Sequence, residues 1–197
     1  MITKAELLKN AITQFTQLGS KHVTLDELAK MQGISKKTIY NYFENKEDLV
    51  AASVETLLDD YTEEINHIVT TNNNDPILCV VLIYKRGFEY LKYFKPSFIF
   101  GLKKYYPKAH TLFETFRSNL ANNITFNLLK EAKKKGFIRQ DVDLKLIVLL
   151  YFLRIDNVAF KTNNLFELFS EEAMLKHLVV YNLRGITTNN YSNSYFK

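Results

Sequence analysis

The stretch Thr24-Leu-Asp-Glu-Leu-Ala-Lys-Met-Gln-Gly33-Ile-Ser-Lys-Lys-Thr-Ile-Tyr40-Asn-Tyr-Phe43 decides the fold. Thr24 and Glu27 have the spacing of a capping box, in which each side chain accepts from the other's backbone N–H and starts a helix. Ser35 can cap a second helix over 36–43. Two short helices that cross closely need a small residue at the contact, and Ala29 supplies it. The chain between them needs one residue with positive φ, and Gly33 takes that conformation without a Cβ penalty. Leu25, Leu28, Ile34 and Ile39 then close a small core. This is the layout of a helix-turn-helix.

Working outward, apolar residues recur every three or four positions. Leu8, Ala11, Ile12 and Phe15 form such a stripe before Gly19 stops the first helix. Asn45 caps a long fourth helix whose first turn holds Glu47 and Asp48, where the helix dipole favours acids. Asp75-Pro76 restarts the chain as N-cap and first helical residue. Pro96 and Pro107 bracket a short sixth helix, and a long seventh is expected over 109–135 with Gly136 as its stop. Asp141 or Asp143 starts an eighth helix reaching Phe160, and Ser170 starts a ninth ending near Gly185. Six glycines and three prolines in 197 residues are too few for the turns of a sandwich or barrel. The expected class is all-α with about nine helices: a helix-turn-helix domain over 1–46, a helical body over 47–185, and a disordered tail over 186–197.

Lysines stand in unusual places. Lys36 and Lys37 fall in the first turn of the third helix and Lys46 in the first turn of the fourth. A helix N-terminus disfavours cations, by about 0.3–1 kcal/mol each. A phosphate bound there reverses the sign, because free N–H groups and ammonium groups then act together.

The runs Thr24-Leu-Asp-Glu-Leu-Ala29, Gly33-Ile-Ser-Lys-Lys-Thr-Ile-Tyr40 and Tyr42-Phe-Glu-Asn-Lys-Glu-Asp-Leu49 resemble the DNA-binding module of the TetR family of bacterial transcriptional regulators. The resemblance covers residues 5–54. One departure is Gln32, where an apolar residue usually precedes the glycine. The resemblance implies that the third helix enters the major groove of double-stranded DNA. Lys36, Lys37, Thr38 and Asn41 then face base edges or nearby phosphates, and Tyr40 and Tyr42 offer hydroxyls. Lys46 and the Thr24 region clamp phosphates. Lysine can donate to guanine, asparagine can pair with adenine, and a threonine methyl can meet thymine. Two alternatives stay open: Tyr42 as a core aromatic beside Phe43, and Thr24 as a helix cap alone.

Residues 1–50 hold seven lysines against six carboxylates. A module so weakly charged needs a second copy on a second half-site for useful affinity. The expected eighth helix is apolar nearly all round, with an unbroken apolar run over 146–153. One face can enter a core; the other needs a partner, unless the helix is buried wholly within a monomer. The resemblance implies that the last two helices form a four-helix homodimer interface, here through Leu146, Leu149, Leu150, Leu153, Leu175, Leu178 and Val179. Arg154 and Asp156 follow the run as candidates to pair or flank that interface.

Twenty-three of the 27 Phe and Tyr lie beyond residue 50. Most suit a helical core. The resemblance implies a small-molecule pocket in the body, and an aromatic lining fits a small hydrophobic or aromatic effector. Phe88, Tyr105, Phe113, Arg117, Asn123 and Asn127 are the candidate lining. The family reading is thus a ligand-responsive repressor, with a regulator controlled by a protein partner as the alternative.

Other chemistry finds no support. His22, His67, His110 and His177 share no metal-ligand spacing, and no phosphate-loop, dinucleotide or nucleophile-elbow motif occurs. No cofactor, metal or enzymatic activity is expected. The single cysteine, Cys79, excludes an intrachain disulfide and reads as a core residue. No run approaches the roughly 18–20 apolar residues of a membrane span, so a cytoplasmic protein is expected.

Overall fold

The computed structural model describes residues 2–156 and 165–196; the expected helix end at Phe160 lies outside them. The chain is all-α. In order the helices are α1 Lys4–Leu18, α2 Leu25–Met31, α3 Lys36–Tyr40, α4 Lys46–Thr71, α5 Pro76–Leu91, α6 Pro96–Tyr105, α7 Pro107–Asn119, α8 Phe126–Lys134, α9 Leu144–Asp156, α10 Glu171–Leu175 and α11 Tyr181–Ile186. A π-turn over Leu120–Thr125 joins α7 to α8, and another over Lys176–Val180 joins α10 to α11. Each of these pairs is one continuous rod, so the described residues form nine helical rods.

Contacts divide the chain into two units. The first comprises Met1–Thr62 and Tyr93–Phe116, the second Glu63–Lys92 and Arg117–Lys197. The boundary expected at residue 46 therefore lies inside the first unit, which includes α6 as well as the helix-turn-helix.

In the first unit local signals place every helix start. Thr3 and Glu6 form a capping box on α1, and Thr24 and Glu27 form the same device on α2. Ser35 Oγ accepts from Thr38 N at 3.1 Å, and Asn45 Oδ1 accepts from Asp48 N at 2.9 Å. Each such cap contributes about 1 kcal/mol. Leu7, Phe15, Leu28, Ile39, Leu49 and Phe98 are fully buried around one core. Gly33 takes φ +63° between α2 and α3. The third helix closes at Tyr40 rather than at residue 43, with Asn41 as its C-cap.

In the second unit Asp75 caps α5 through Leu78 N at 2.9 Å. Asp143, not Asp141, caps α9 through the N–H groups of Lys145 and Leu146. Ile77, Val81, Phe88, Leu129, Ile138 and Leu183 lead the core. Arg86 ties α4 to α5: its guanidinium bonds Glu64 and Glu89, and Tyr90 donates to Glu64 at 3.1 Å. Cys79 is buried with its thiol 3.3 Å from the Asn72 carbonyl, and burial pushes it up to about 11. It stays protonated and unreactive at neutral pH.

The tail is a correction to the sequence reading. Residues 186–196, expected to be disordered, pack on the second unit. Arg139 N donates to Ile186 O at 3.1 Å, and Thr188 N donates to Phe137 O at 2.9 Å. Tyr191 lies on Phe137 with centroids 4.8 Å apart and donates its hydroxyl to Asp75 at 2.6 Å. Phe196 is buried in the core. Polar Asn, Ser and Thr residues suggested a loose segment; the tyrosine and phenylalanine spaced among them anchor it instead.

Candidate nucleic-acid interface

Helix α3 is short and amphipathic. Ile39 points into the core while Lys37, Tyr40 and Asn41 stand exposed. Thr38 is half-buried, its hydroxyl 2.9 Å from that of Ser35. Lys36 reaches back to α2 and pairs with Asp26 at 2.9 Å, a hydrogen bond that raises its pKa. A phosphate would have to compete with that carboxylate. Tyr42 is exposed and donates to Ile2 O at 3.1 Å, whereas its neighbour Phe43 is buried under the Lys4 ammonium.

Thr24 caps α2: its hydroxyl accepts from Glu27 N at 3.1 Å, and its own N–H donates to Glu27 at 2.8 Å. Those bonds from Thr24 hold the Glu27 carboxyl below its usual range. Capping consumes the hydroxyl's acceptor role, yet Thr24 remains exposed beside the free first-turn N–H groups. Lys46 is half-buried. Its ammonium lies 5.5 Å over the Tyr106 ring and donates to Lys21 O at 3.4 Å. Burial lowers its pKa, and the Glu27 charge works against that shift.

The six residues expected to line an effector pocket fall in both units. Tyr105 and Phe113 belong to the first unit; Phe88, Arg117, Asn123 and Asn127 belong to the second. Phe88 and Phe113 are buried core residues. Arg117 stacks 4.6 Å over the Phe152 ring. Asn123 is exposed in the first π-turn and bonds Asn119 at 2.7 Å, and Asn127 is exposed on α8. Tyr105 stands between two lysines instead. The ammonium groups of Lys21 and then Lys104 pull its hydroxyl below the ordinary tyrosine value.

The residues expected at a dimer face divide in two. On α9, Leu146, Leu149, Leu150 and Leu153 are 52%, 53%, 37% and 45% exposed, while Val148 and Tyr151 of the same helix are buried. Leu175 and Val179, by contrast, are buried in the second unit's own core, and Leu178 is half-buried. Leu175, Val179 and Leu183 recur every four residues, so one helical stripe is turned into the second unit's core. Tyr181 is exposed in their place. Arg154 bonds Asn182. The side chain of Asp156 lies outside the described residues.

The chain is therefore an all-helical protein with an N-terminal, doubly capped helix-turn-helix. Residues 7–53 match the family described as bacterial regulatory proteins, tetR family. Among curated relatives, the Staphylococcus aureus "Biofilm operon icaADBC HTH-type negative transcriptional regulator IcaR" is 27% identical over 121 residues, 61% of this chain and 59% of that protein. The chain thus spans about three fifths of the length of such relatives. Among solved structures, FadR from Bacillus subtilis in complex with stearoyl-CoA has a TM-score of 0.73 at 18% identity, covering 93% of this chain and all of that one. SmeT, the repressor of the Stenotrophomonas maltophilia multidrug efflux pump SmeDEF, has a TM-score of 0.72 at 16% identity, covering 98% of this chain and 95% of that one. Both share the fold. No described helix is long and apolar enough to cross a membrane.

The sequence reading missed Lys21, Lys104 and their arrangement around Tyr105. Lys21 sits in a loop and Lys104 in the last turn of α6, where the dipole welcomes cations, so neither carries a local signal.

Proposed function

We propose that the chain is a homodimeric repressor of transcription that releases a near-palindromic operator when a small hydrophobic or aromatic effector binds. The outward side of α3 carries this reading: Lys37, Tyr40 and Asn41 are exposed on a helix whose other side is locked into the core. Such a helix is shaped to enter a major groove. The matches to a negative transcriptional regulator and to the fold of SmeT support repression. Leu146, Leu149, Leu150 and Leu153 offer the second copy an apolar stripe, with Leu178 and Tyr181 beside it.

The effector part of the reading is supported by the second unit's interior. Tyr151 is 4% exposed and its hydroxyl has no hydrogen-bond partner among the described residues. An unmet buried hydroxyl costs about 1–3 kcal/mol, which a ligand oxygen would recover. Tyr84 lies 6.0 Å from its ring, and burial pushes the Tyr84 phenol up to about 12. Phe88 and Phe166 meet edge to face at 5.5 Å nearby. FadR from Bacillus subtilis, of similar fold, is solved in complex with stearoyl-CoA, a ligand with a long apolar chain. A ligand there shifts the DNA-binding equilibrium only through different affinities for the two states.

The test is fluorescence anisotropy of full-length protein with the duplex flanking its own gene, against scrambled competitor. Competitor-resistant binding is expected. K37A/N41A should lose about 1–3 kcal/mol per base contact and with it the preference for that sequence, whereas K46A should weaken all duplexes alike. Equal, weak binding of both duplexes, there and across a randomised library, refutes the reading.

A further inference from the structure

The loop between α1 and α2 is held against α6 by unusually close backbone approach. A Cβ on Gly19, at φ +87°, would stand 2.9 Å from Ser97 Oγ, and one on Gly101 would stand 2.7 Å from Ser20 Oγ. Tyr106 donates its buried hydroxyl to Ser20 O at 3.2 Å, and Lys95 N donates to Thr16 O at 2.9 Å. Two missing side chains and two hydrogen bonds therefore fix the position of Lys21, the next residue of the loop.

So fixed, Lys21 completes a row. Its ammonium lies 4.8 Å over the Tyr105 ring, with the Lys104 ammonium 5.4 Å over the same ring. Lys104 also lies 5.6 Å over Phe100. At the other end, the Lys46 ammonium donates to the Lys21 carbonyl and sits over Tyr106. Three cations from three elements thus gather around two adjacent rings. Among the described residues none of the three forms an ion pair, whereas Lys36 and Lys108 of the same unit pair with Asp26 and Asp48.

Gathered like charges repel, and rings compensate them only weakly. The helix dipole explains Lys104 in the last turn of α6 but not Lys21 in a loop. A polyanion would relieve the repulsion, and the rings keep the ammonium groups in place to receive it. The row also begins where DNA is expected: Lys21 precedes the α2 cap by three residues and touches Lys46 in the first turn of α4.

We infer that Lys21, Lys104 and the Tyr105 hydroxyl form an annex that binds the phosphate backbone of duplex DNA outside the base pairs read by α3. The annex rests on the DNA-binding reading above and extends it from the helix-turn-helix onto α6. It contributes affinity and salt dependence without contributing sequence preference.

The probe is a duplex recovered by the full-length protein from a randomised library. It is used with about 10 extra base pairs at each end, one helical turn, and again trimmed to the α3 footprint. Each phosphate contact adds about 0.9 to the slope of log affinity against log salt. K21Q/K104Q should lower the slope on the long duplex by about 1.8 per protomer. Between 50 and 200 mM salt the wild type then loses roughly 12-fold more affinity than the variant per protomer, about 150-fold for a bound dimer. On the trimmed duplex the slopes should agree, and K21R/K104R should restore the wild-type slope on the long one. Equal slopes for wild type and K21Q/K104Q on the long duplex overturn the annex while leaving the DNA-binding reading intact. Wild-type protein that recovers no preferred duplex overturns both.

Discussion

Replacing Tyr191 by phenylalanine removes the hydroxyl that helps to order the C-terminal segment, and with it the bond to Asp75 and the one accepted from Asn193 Nδ2 at 2.9 Å. The Tyr191 hydroxyl donates to Asp75 Oδ1 at 2.6 Å, and the same oxygen accepts from Leu78 N at 2.9 Å to cap α5. Burial and the Asp75 carboxylate both push the phenol above its ordinary pKa, so it remains a donor. Tyr191→Phe removes that donor but keeps the ring against Phe137 and Phe196. A hydrogen bond to a charged group contributes about 1.5–3 kcal/mol. Tyr191 is only half-buried and Asp75 retains its Leu78 bond, which argues for the lower end, about 1.5 kcal/mol. Tyr191→Ala also forfeits two ring contacts, at about 0.5–1.5 kcal/mol each. The chain has no tryptophan, so urea unfolding is best followed by circular dichroism at the helix band. With a urea slope of about 1–3 kcal/mol/M, the Tyr191→Phe midpoint should fall by about 0.5–1.5 M. A double-mutant cycle with Asp75→Asn should return about 1 kcal/mol of coupling. A wild-type midpoint for Tyr191→Phe, or zero coupling, refutes the claim that the segment clasps the start of α5.

Two further outcomes are expected. Leu149→Glu/Leu153→Glu should sediment as a folded monomer while the wild type sediments as a dimer. Four half-exposed leucines on each of two copies hold about 8 kcal/mol of unspent burial, at about 1 kcal/mol each. A variant that stays dimeric removes α9 from the interface. The second concerns acid. The Arg86 hydrogen bond holds the Glu64 carboxyl below its ordinary value, helped by Tyr90 and opposed by burial. A depressed folded pKa means the stabilisation is complete above the unfolded value of about 4.3 and is lost as pH falls through the folded value. Both partners are about a third exposed, so the effect is roughly 0.5–1 kcal/mol. The wild-type urea midpoint should approach that of Glu64→Gln between about pH 5 and pH 3; parallel pH profiles would show that the pair carries no net stability.

What the sequence determined by itself was local. Thr24, Ser35, Asn45, Asp75 and Ser170 cap helices because a side-chain oxygen reaches an N–H three residues on, a relation complete within one turn. Gly33 and Gly136 take positive φ for reasons equally local. The exposed side of α3 follows from spacing alone, but α9 is apolar nearly all round, so which of its faces is buried does not. The tertiary structure decided what depends on distant partners. Tyr191 and Asp75 are 116 residues apart, so nothing within the tail announces its order. Leu175 and Val179 share one helical stripe with Leu183, and only the packed second unit decides that this stripe faces its own core rather than a partner. Tyr105, a candidate for the pocket that the resemblance implies, stands between Lys21 and Lys104 because two glycines let a loop settle onto α6. Caps and periodicity are short-range and survive in any context, whereas burial and charge pairing exist only once remote segments meet.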